Sequence, residues 1–181
     1  HRDLIDSIIL KAGITNDETS QLCRLGLANY FAGAIMMPYE RFLNAAEKLR
    51  YDIEVLSRRF GASFEQVCHR FTTLQRSGSR GIPFFFLRLD RAGNISKRFS
   101  SSSFHFARFG GTCPRWNVHE AFRTPGKIIT QILQMEDSTT YFSVSRTVTS
   151  LSGGFHNPEQ NFAIGMGCDI NQAHRLVYAD G

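Results

Sequence analysis

Several patterns that mark common protein classes are missing from this sequence of 181 residues. It has no run of about 18 apolar residues, so no segment is suited to crossing a bilayer as a helix. It has no His-Glu-x-x-His and no two histidines four positions apart, the spacing with which zinc peptidases hold their metal on one helix face. It also lacks Gly-x-Ser-x-Gly, which excludes the nucleophile elbow of serine hydrolases.

The cysteines are few and widely separated. Cys23, Cys68, Cys113 and Cys168 form no Cys-x-x-Cys pair and lie in apolar surroundings, which favours reduced thiols over a disulfide framework. No secretory signal pattern opens the chain. A cytoplasmic protein is therefore expected, with no membrane segment. The net charge of +5 favours weak attraction to phosphate groups, in nucleic acid or in a ligand.

The first half of the chain has helical periodicity. The second of its helices is nearly all apolar between residues 25 and 37, so we expect it to be buried on most sides. Thr15 and Glu18 have the spacing of a capping box at its start. The third carries one continuous apolar stripe from Phe42 to Phe60, which Gly61 ends. The predicted helices are residues 3–12, 15–37, 38–60 and 63–74.

The second half has the two-residue period of strands. A polar, glycine-rich stretch at residues 76–82 separates the halves and predicts two domains, residues 1–80 (helical) and 81–181 (α+β). The fold class is therefore predicted to be α+β, a helical subdomain followed by a GAF-like antiparallel sheet. The predicted strands are 83–90, 95–100, 127–135, 140–149 and 161–168, with a turn at 91–94 and short helices at 117–122 and 170–177.

Basic and aromatic residues alternate in the second half. Guanidinium groups bind phosphates in a bidentate fork, and aromatic rings stack on a base or line an acyl slot. Strand alternation places Phe84, Phe86 and Arg88 on one face. This pattern predicts a site for a nucleotide-tailed ligand such as an acyl-CoA, although an amphipathic sheet with a solvated basic edge shows the same pattern. The candidates for phosphate contacts are Arg88, Lys97, Arg98, Arg108 and Arg115, and those for the apolar lining are Phe84, Phe86, Phe106 and Trp116.

Two alternatives remain open from the residues alone. Cys113 lies in a glycine-rich turn between Arg108 and Arg115, and these two cations could lower the pKa of its thiol. One alternative is therefore a cysteine-dependent acyl-CoA enzyme. The other interpretation of this residue is a thiol that only packs in a turn. Residues 56–74 have the pattern of a helix-turn-helix, but any helical hairpin shares it. No catalytic residue and no cofactor is predicted.

Several strings resemble one bacterial family. Residues 27–38 (LANYFAGAIMMP) resemble a helix of ImmA/IrrE-type peptidases. Residues 81–86 (GIPFFF), 92–98 (AGNISKR), 106–116 (FARFGGTCPRW) and 177–181 (VYADG) resemble the short-chain fatty acyl-CoA regulators. The resemblance covers essentially the whole chain.

This resemblance implies the sensory part of a bacterial transcriptional regulator of propionate, acetate or glyoxylate metabolism, with a short-chain acyl-CoA as effector and a homodimer as the assembly. DNA would be bound only through an XRE-type helix-turn-helix domain that precedes this chain. Peptidase relatives have a glutamate ligand just before Ala-Asn, and residues 24–27 hold no acid, which implies a degenerate peptidase region that serves in packing or dimerisation. The resemblance also implies a Cys-rich tail after this segment in relatives. Cys113 and Cys168 are weak candidates for a metal site that they would share with such a tail. A purely structural dimerisation domain is the remaining alternative.

Overall fold

Helices occupy the first 72 residues of the chain, and strands dominate the rest. The computed structural model describes residues 2–106, 113, 115–150 and 159–180. The helices are α1 (Arg2–Lys11), α2 (Asp17–Met36), α3 (Tyr39–Lys48), α4 (Ile53–Phe60), α5 (Phe64–Thr72) and α6 (Asn117–Glu120). The strands are β1 (Gln75–Arg76), β2 (Ser79–Arg80), β3 (Phe85–Asp90), β4 (Ile95–Ser100), β5 (Ile129–Gln134), β6 (Thr140–Ser150) and β7 (Gln160–Asp169). Three 3₁₀ turns complete the fold, at Ala121–Arg123, Ile170–Arg175 and Val177–Ala179. The predicted α+β class is confirmed.

Contacts divide the chain into two units, of which the first ends at Phe42 and the second begins at Leu43. The domain boundary predicted near residue 80 stays a prediction. In the first unit Asn16 caps α2 by accepting a hydrogen bond from the Thr19 amide at 3.0 Å, so the cap lies one residue after the predicted Thr15. Asp6 of α1 pairs with Arg24 of α2 at 2.8 Å.

The predicted burial of α2 is wrong. Leu22, Leu25 and Ile35 are 70%, 61% and 72% exposed, and Ser20 is the one residue of α2 that is buried. The physical reason is that the apolar residues of α2 lie all round the helix, whereas α1 packs along one side of it. Burial on most sides would need further partners.

The predicted third helix is divided in two. α3 ends at Lys48 and α4 begins at Ile53, because Arg50 and Tyr51 adopt positive φ angles of 50° and 59°. Asp52 then starts α4 by accepting from the Val55 amide at 3.0 Å. The apolar stripe continues across this corner, which is why the sequence shows no interruption.

Five antiparallel strands form the main sheet, in the order β4-β3-β7-β6-β5. Helices α4 and α5 cover one face of it. Phe71 of α5 packs against Phe84 with ring centroids 5.5 Å apart, and Glu54 of α4 pairs with Arg146 of β6 at 2.9 Å. Since α5 buries six of its nine residues, it has little free surface with which to enter a DNA groove, which argues against the helix-turn-helix interpretation of residues 56–74.

The other face of the sheet carries its own core. Phe85, Leu87 and Leu89 of β3 alternate with the helix-facing residues and pack beneath α6 and the segment that precedes it. Two glycines of β7 give these side chains room, because Gly167 lies opposite Phe85 and Gly165 opposite Leu87. This second face holds the cavity described next.

Candidate functional site

A cavity of about 610 Å³ opens over the face of the sheet away from α4 and α5. This volume falls within the range of small-molecule sites. Its walls come mainly from three parts of the second unit: residues 104–106 with 113, 115 and 116, strand β5, and the β5–β6 turn. Ile95 of β4 closes another side.

An aromatic cluster forms the apolar part of the cavity. Phe104, Phe106, Trp116 and Tyr141 all line it, and Phe85 lies beneath them. The rings of Phe85 and Phe104 stack at 4.0 Å, and the Phe104 and Tyr141 rings meet edge to face at 5.1 Å. Each ring contacts at least two others, so the cluster forms a preorganised surface for an apolar group.

Hydrogen bonds hold this cluster in place. The Trp116 indole N–H donates to Ser143 Oγ at 3.2 Å, and Ser103 Oγ and the Tyr141 hydroxyl lie 3.1 Å apart. Gln131 Oε1 accepts from the Asn117 amide at 2.8 Å, and Gln131 Nε2 donates to the Arg115 carbonyl at 3.1 Å. The loop that carries Arg115 and Trp116 is thereby fixed to β5.

Polar and charged side chains surround the opening of the cavity. Arg115 and His105 are exposed and line it. The β5–β6 turn adds Glu136 and Asp137 on another side. Thr139 donates to Asp137 from both its amide and its hydroxyl, and these bonds lower the pKa of the Asp137 carboxyl below its usual value. The rim thus has two different sides. The side of Arg115 is suited to an anionic group, and the side of Glu136 and Asp137 is acidic.

Three predicted site residues lie on the other face of the sheet. Phe84 packs against Tyr51 at 5.6 Å, and Phe86 packs against His69 at 6.0 Å. Arg88 pairs with Glu65 at 3.2 Å and lies over the Phe162 ring at 4.4 Å. Their common face agrees with the prediction, but α4 and α5 cover it. The structure does not bring these residues to the cavity.

The remaining basic candidates are divided. Lys97 pairs with Glu65 at 2.7 Å, on the helix-covered face beside Arg88. Arg98 lies in the edge strand β4, opposite Leu87, and is not among the residues that line the cavity. Arg108 lies outside the described residues. Of the predicted set, the cavity brings together Phe106, Arg115 and Trp116. The ligand-binding roles stay predictions.

The two thiols considered for a metal are not brought together. Cys113 is exposed and lines the cavity, whereas Cys168 is buried on the opposite face of the sheet. Burial raises the pKa of the Cys168 thiol to about 12. Within the described residues, no group of three or more His, Cys, Asp or Glu side chains could hold a metal ion.

Sequence reasoning missed part of the lining. Phe104, Tyr141, Leu133 and Met135 all line the cavity and were not among the candidates. The alternation of β5 carried a signal, since Gln131 and Leu133 share a face. What no local pattern gives is which face of the sheet the helices cover.

An α+β unit with an apolar cavity over one sheet face is typical of ligand-binding modules. The family model described as "Short-chain fatty acyl coenzyme A regulator, C-terminal" matches residues 73–181, and the IrrE N-terminal-like domain model matches residues 3–72. The chain therefore belongs to the short-chain fatty acyl coenzyme A regulator family, and the predicted resemblance is confirmed.

Individual relatives agree. The chain is 54% identical over 179 residues to the HTH-type transcriptional regulator PrpR of Mycobacterium tuberculosis, covering 99% of this chain and 37% of that protein. It is 51% identical to the HTH-type transcriptional regulator RamB of the same species, covering 99% and 38%. It is 50% identical to the propionyl-CoA carboxylase regulator of Cereibacter sphaeroides, covering 99% and 39%. The chain thus spans less than two fifths of the length of these relatives.

A solved structure shares the fold. A Mycobacterium tuberculosis transcriptional regulator superposes with a TM-score of 0.93 at 53% identity, covering 99% of this chain and 55% of that one. The names of these relatives point to regulation of transcription rather than to an enzyme. In the described part of the chain, no helix is long and apolar enough to span a membrane.

Proposed function

We propose that this chain is the effector-binding part of a bacterial transcriptional regulator, and that it binds a short-chain acyl-CoA in the cavity over the sheet. The observation that carries the proposal is the combination, in one cavity of about 610 Å³, of an aromatic cluster with Arg115 at the opening. A short acyl group is apolar and suits the cluster, and the phosphates of CoA suit Arg115. The family description and the name of the Cereibacter relative support this choice of ligand.

The cavity refines the set of proposed contacts. Phe104, Phe106 and Trp116 would contact the acyl end, and Arg115 the phosphates. Lys97 and Arg88 are less suited to this role, since both are paired with Glu65 on the covered face. Phe84 and Phe86 would act on ligand binding only through the packing of the sheet.

Binding of DNA and dimerisation are proposed for the whole protein. The relatives are named as HTH-type regulators and are more than twice as long as the matched part, so we assign DNA binding to a domain outside this chain. Ligand binding would then change the preference of a homodimer between two arrangements of its DNA-binding domains.

Isothermal calorimetry with acetyl-, propionyl- and butyryl-CoA, and with free CoA, tests the proposal. We expect saturable binding whose affinity depends on the acyl group. Arg115→Ala should weaken binding about tenfold, in line with the loss of a charge-assisted hydrogen bond. The matched control is Lys97→Ala, which also removes one exposed cation but on the other face, and should bind as the wild type does. Absence of heat with every ester, from a folded sample, would contradict the proposal.

A second candidate is a cysteine-dependent acyl-CoA enzyme, because Cys113 lies in the same cavity. A thioester bound there would lie near this thiol. Release of free CoA from propionyl-CoA by the wild type, and its loss in Cys113→Ser, would establish this candidate. Binding by both proteins without release of CoA would exclude it.

A further inference from the structure

Strand β5 is the last strand of the sheet, and no strand among the described residues pairs with its outer edge, which is called the free edge below. The Met135 amide donates to the Thr139 carbonyl at 2.8 Å, so Met135 belongs to a hydrogen-bonded pair with the start of β6. Because such pairs alternate along an antiparallel ladder, the odd-numbered residues of β5 bond to β6. Ile132 and Gln134 therefore direct their N–H and C=O groups away from β6.

A side-chain contact supports this assignment of the edge. Asn117 Nδ2 donates to the Thr130 carbonyl at 2.7 Å, which requires that carbonyl to face outward as the alternation predicts. Thr130 is thereby occupied. Within the described residues, no strand pairs with the outer side of β5, so Ile132 and Gln134 present the unpaired part of the edge.

This edge forms one wall of the cavity. Four consecutive residues, 131–134, line it. Successive side chains of a strand point to opposite faces, so the cavity borders Ile132 and Gln134 through their backbone or along the edge of the strand. The backbone groups of Ile132 and Gln134 consequently face the space that a ligand would occupy.

The two edges of the sheet differ in chemistry. The outer strand β4 carries Lys97 and Arg98, and its pairing shifts register between Arg88 and Leu89. Charges and bulges of this kind prevent an edge from pairing with an added strand. Strand β5, with the sequence Ile-Thr-Gln-Ile-Leu-Gln, contains no charge and no proline, and its register with β6 is continuous. Within the part of the chain that the structure describes, β5 is therefore the edge open to pairing.

We propose that the free edge of β5 binds the pantetheine arm of the acyl-CoA as an added strand would be bound, with Ile132 and Gln134 exchanging backbone hydrogen bonds with the two amides of the arm. This inference rests on the proposed function and specifies how the same cavity recognises its ligand. The arm is extended and has secondary amides, which are the groups that a strand edge pairs with. The side-chain amide of Gln131 is already bonded at both ends, to Asn117 and Arg115. The backbone edge supplies the amide partners in its place.

The arrangement also orders the ligand along the cavity. The arm, held at the β5 edge, would place the thioester end on the aromatic cluster of Phe104 and Trp116 and the phosphate end near Arg115. The backbone of β5 would bind the pantetheine arm, which all CoA esters share. The rings of the aromatic cluster would then discriminate between acyl groups.

The variant Ile132→Pro tests the inference, because proline removes one backbone N–H and is tolerated at an edge strand where that N–H faces outward. The matched control is Ile132→Val, which shortens the side chain and keeps the N–H. Calorimetry with propionyl-CoA should give about tenfold weaker binding for Ile132→Pro and no more than about a twofold change for Ile132→Val, with similar thermal midpoints. A folded Ile132→Pro protein that binds as the wild type does overturns the inference and leaves the proposed function intact.

Amide hydrogen exchange on the wild-type protein provides a test that needs no variant. Saturating propionyl-CoA should slow exchange at Ile132 and Gln134 and leave Arg98, in the opposite edge strand, unchanged. Unchanged exchange at both β5 amides, in a sample that calorimetry shows to be saturated, overturns the inference alone. If the wild type binds no acyl-CoA at all, the proposed function and this inference fall together.

Discussion

The glycines of β7 determine where the Phe85 ring, beneath the aromatic cluster, can lie. A Cβ atom added at Gly167 would overlap the Phe85 ring and come within 2.6 Å of the Phe142 carbonyl. The bare backbone at this position lets Phe85 lie flat on β7 and stack on Phe104. A small residue here is therefore a requirement of packing, since the φ angle of Gly167 is not positive.

Gly167→Ala should destabilise the fold by about 2–3 kcal/mol, the usual cost of forcing extra volume into a packed core, and should weaken ligand binding by displacing Phe85. The matched control is Gly26→Ala in α2, where an added Cβ meets no atom within 4 Å. That change should stabilise the helix by about 0.5–1 kcal/mol. Urea denaturation measures both, and effects of the same sign would contradict this account.

His69 gives the fold a pH dependence with a defined sign. Its ring lies 4.6 Å from the Phe99 ring and 6.0 Å from the Phe86 ring. Burial, followed by the charge of Lys97, lowers the pKa of His69 below its usual value, although Glu65 opposes this effect. The unfolded chain therefore takes up this proton more readily than the folded one, so stability falls as the pH decreases below about 6.5, down to the lowered pKa.

The thermal midpoint should drop further between pH 7.5 and pH 5.5 in the wild type than in His69→Gln, which has no group to titrate at this position. Other histidines contribute equally to both proteins, so the difference isolates His69. An identical drop in the two proteins would remove His69 as the cause.

Among the elements, the corner between α3 and α4 depends on residues far along the chain. Arg50 forms an ion pair with Asp180, with Nη2 2.8 Å from Oδ1, and also donates to the carbonyls of His174 and Leu176. Positions 50 and 51 adopt positive φ angles without being glycine, because these bonds and the burial of Tyr51 compensate for the strain. Asp180 has a lowered pKa for the same reason, its hydrogen bond with Arg50.

Two tyrosine hydroxyls complete this corner. The Ile82 amide donates to the Tyr51 hydroxyl at 3.2 Å, and the Ile53 amide donates to the Tyr178 hydroxyl at 2.8 Å. Tyr51→Phe should cost about 1–2 kcal/mol, because it leaves the buried Ile82 amide without its acceptor. Tyr178→Phe should act in the same direction on Ile53. Denaturant midpoints that do not change in either variant would show that these bonds do not stabilise the corner.

The strands of the main sheet were predictable, whereas the short hairpin of β1 and β2 and the corner between α3 and α4 were not. The strand at residues 83–90, the glycine turn after it and the return strand are determined by their local sequence, since β-rich segments and turn residues act locally. The break at Arg50 depends on Asp180 and Ile82, which no window around residue 50 contains. The site shows the same division: alternation correctly placed Phe84, Phe86 and Arg88 on one face, but the docking of α4 and α5 decides which face stays open.

At the scale of the whole molecule, the two units differ in how they bury apolar residues. In the second unit, Phe84, Phe85 and Phe86 are fully buried. In the first, the least exposed side of α2 contains Ser20, Cys23, Leu27 and Phe31, and their three- and four-residue spacing marks one seam of the helix. The opposite seam, formed by Leu22, Leu25, Asn29, Ala32 and Met36, is exposed along its length.

This outer seam suits a second copy of the chain. Its residues follow the spacing with which one helix packs against another, and Tyr30 and Ile35 extend the apolar surface on either side. Helix α2 has 20 residues and is about 30 Å long. Two such helices packed side by side, with their flanks, would bury on the order of 1,200 Å², which is the lower end of stable interfaces. The homodimer proposed above would use this surface.

The wild-type chain should therefore sediment as a dimer at micromolar concentration, and Leu25→Glu should shift it towards the monomer, because a carboxylate in the seam would lose its water on association. The control is Leu10→Glu, at a residue of α1 that is 80% exposed. It adds the same charge to the first unit and should leave the dimer intact. A wild type that stays monomeric, or two variants that dissociate equally, would contradict the assignment of the outer seam to a dimer contact. Retention of propionyl-CoA binding by a monomeric Leu25→Glu protein would also show that the cavity of the second unit does not need the dimer.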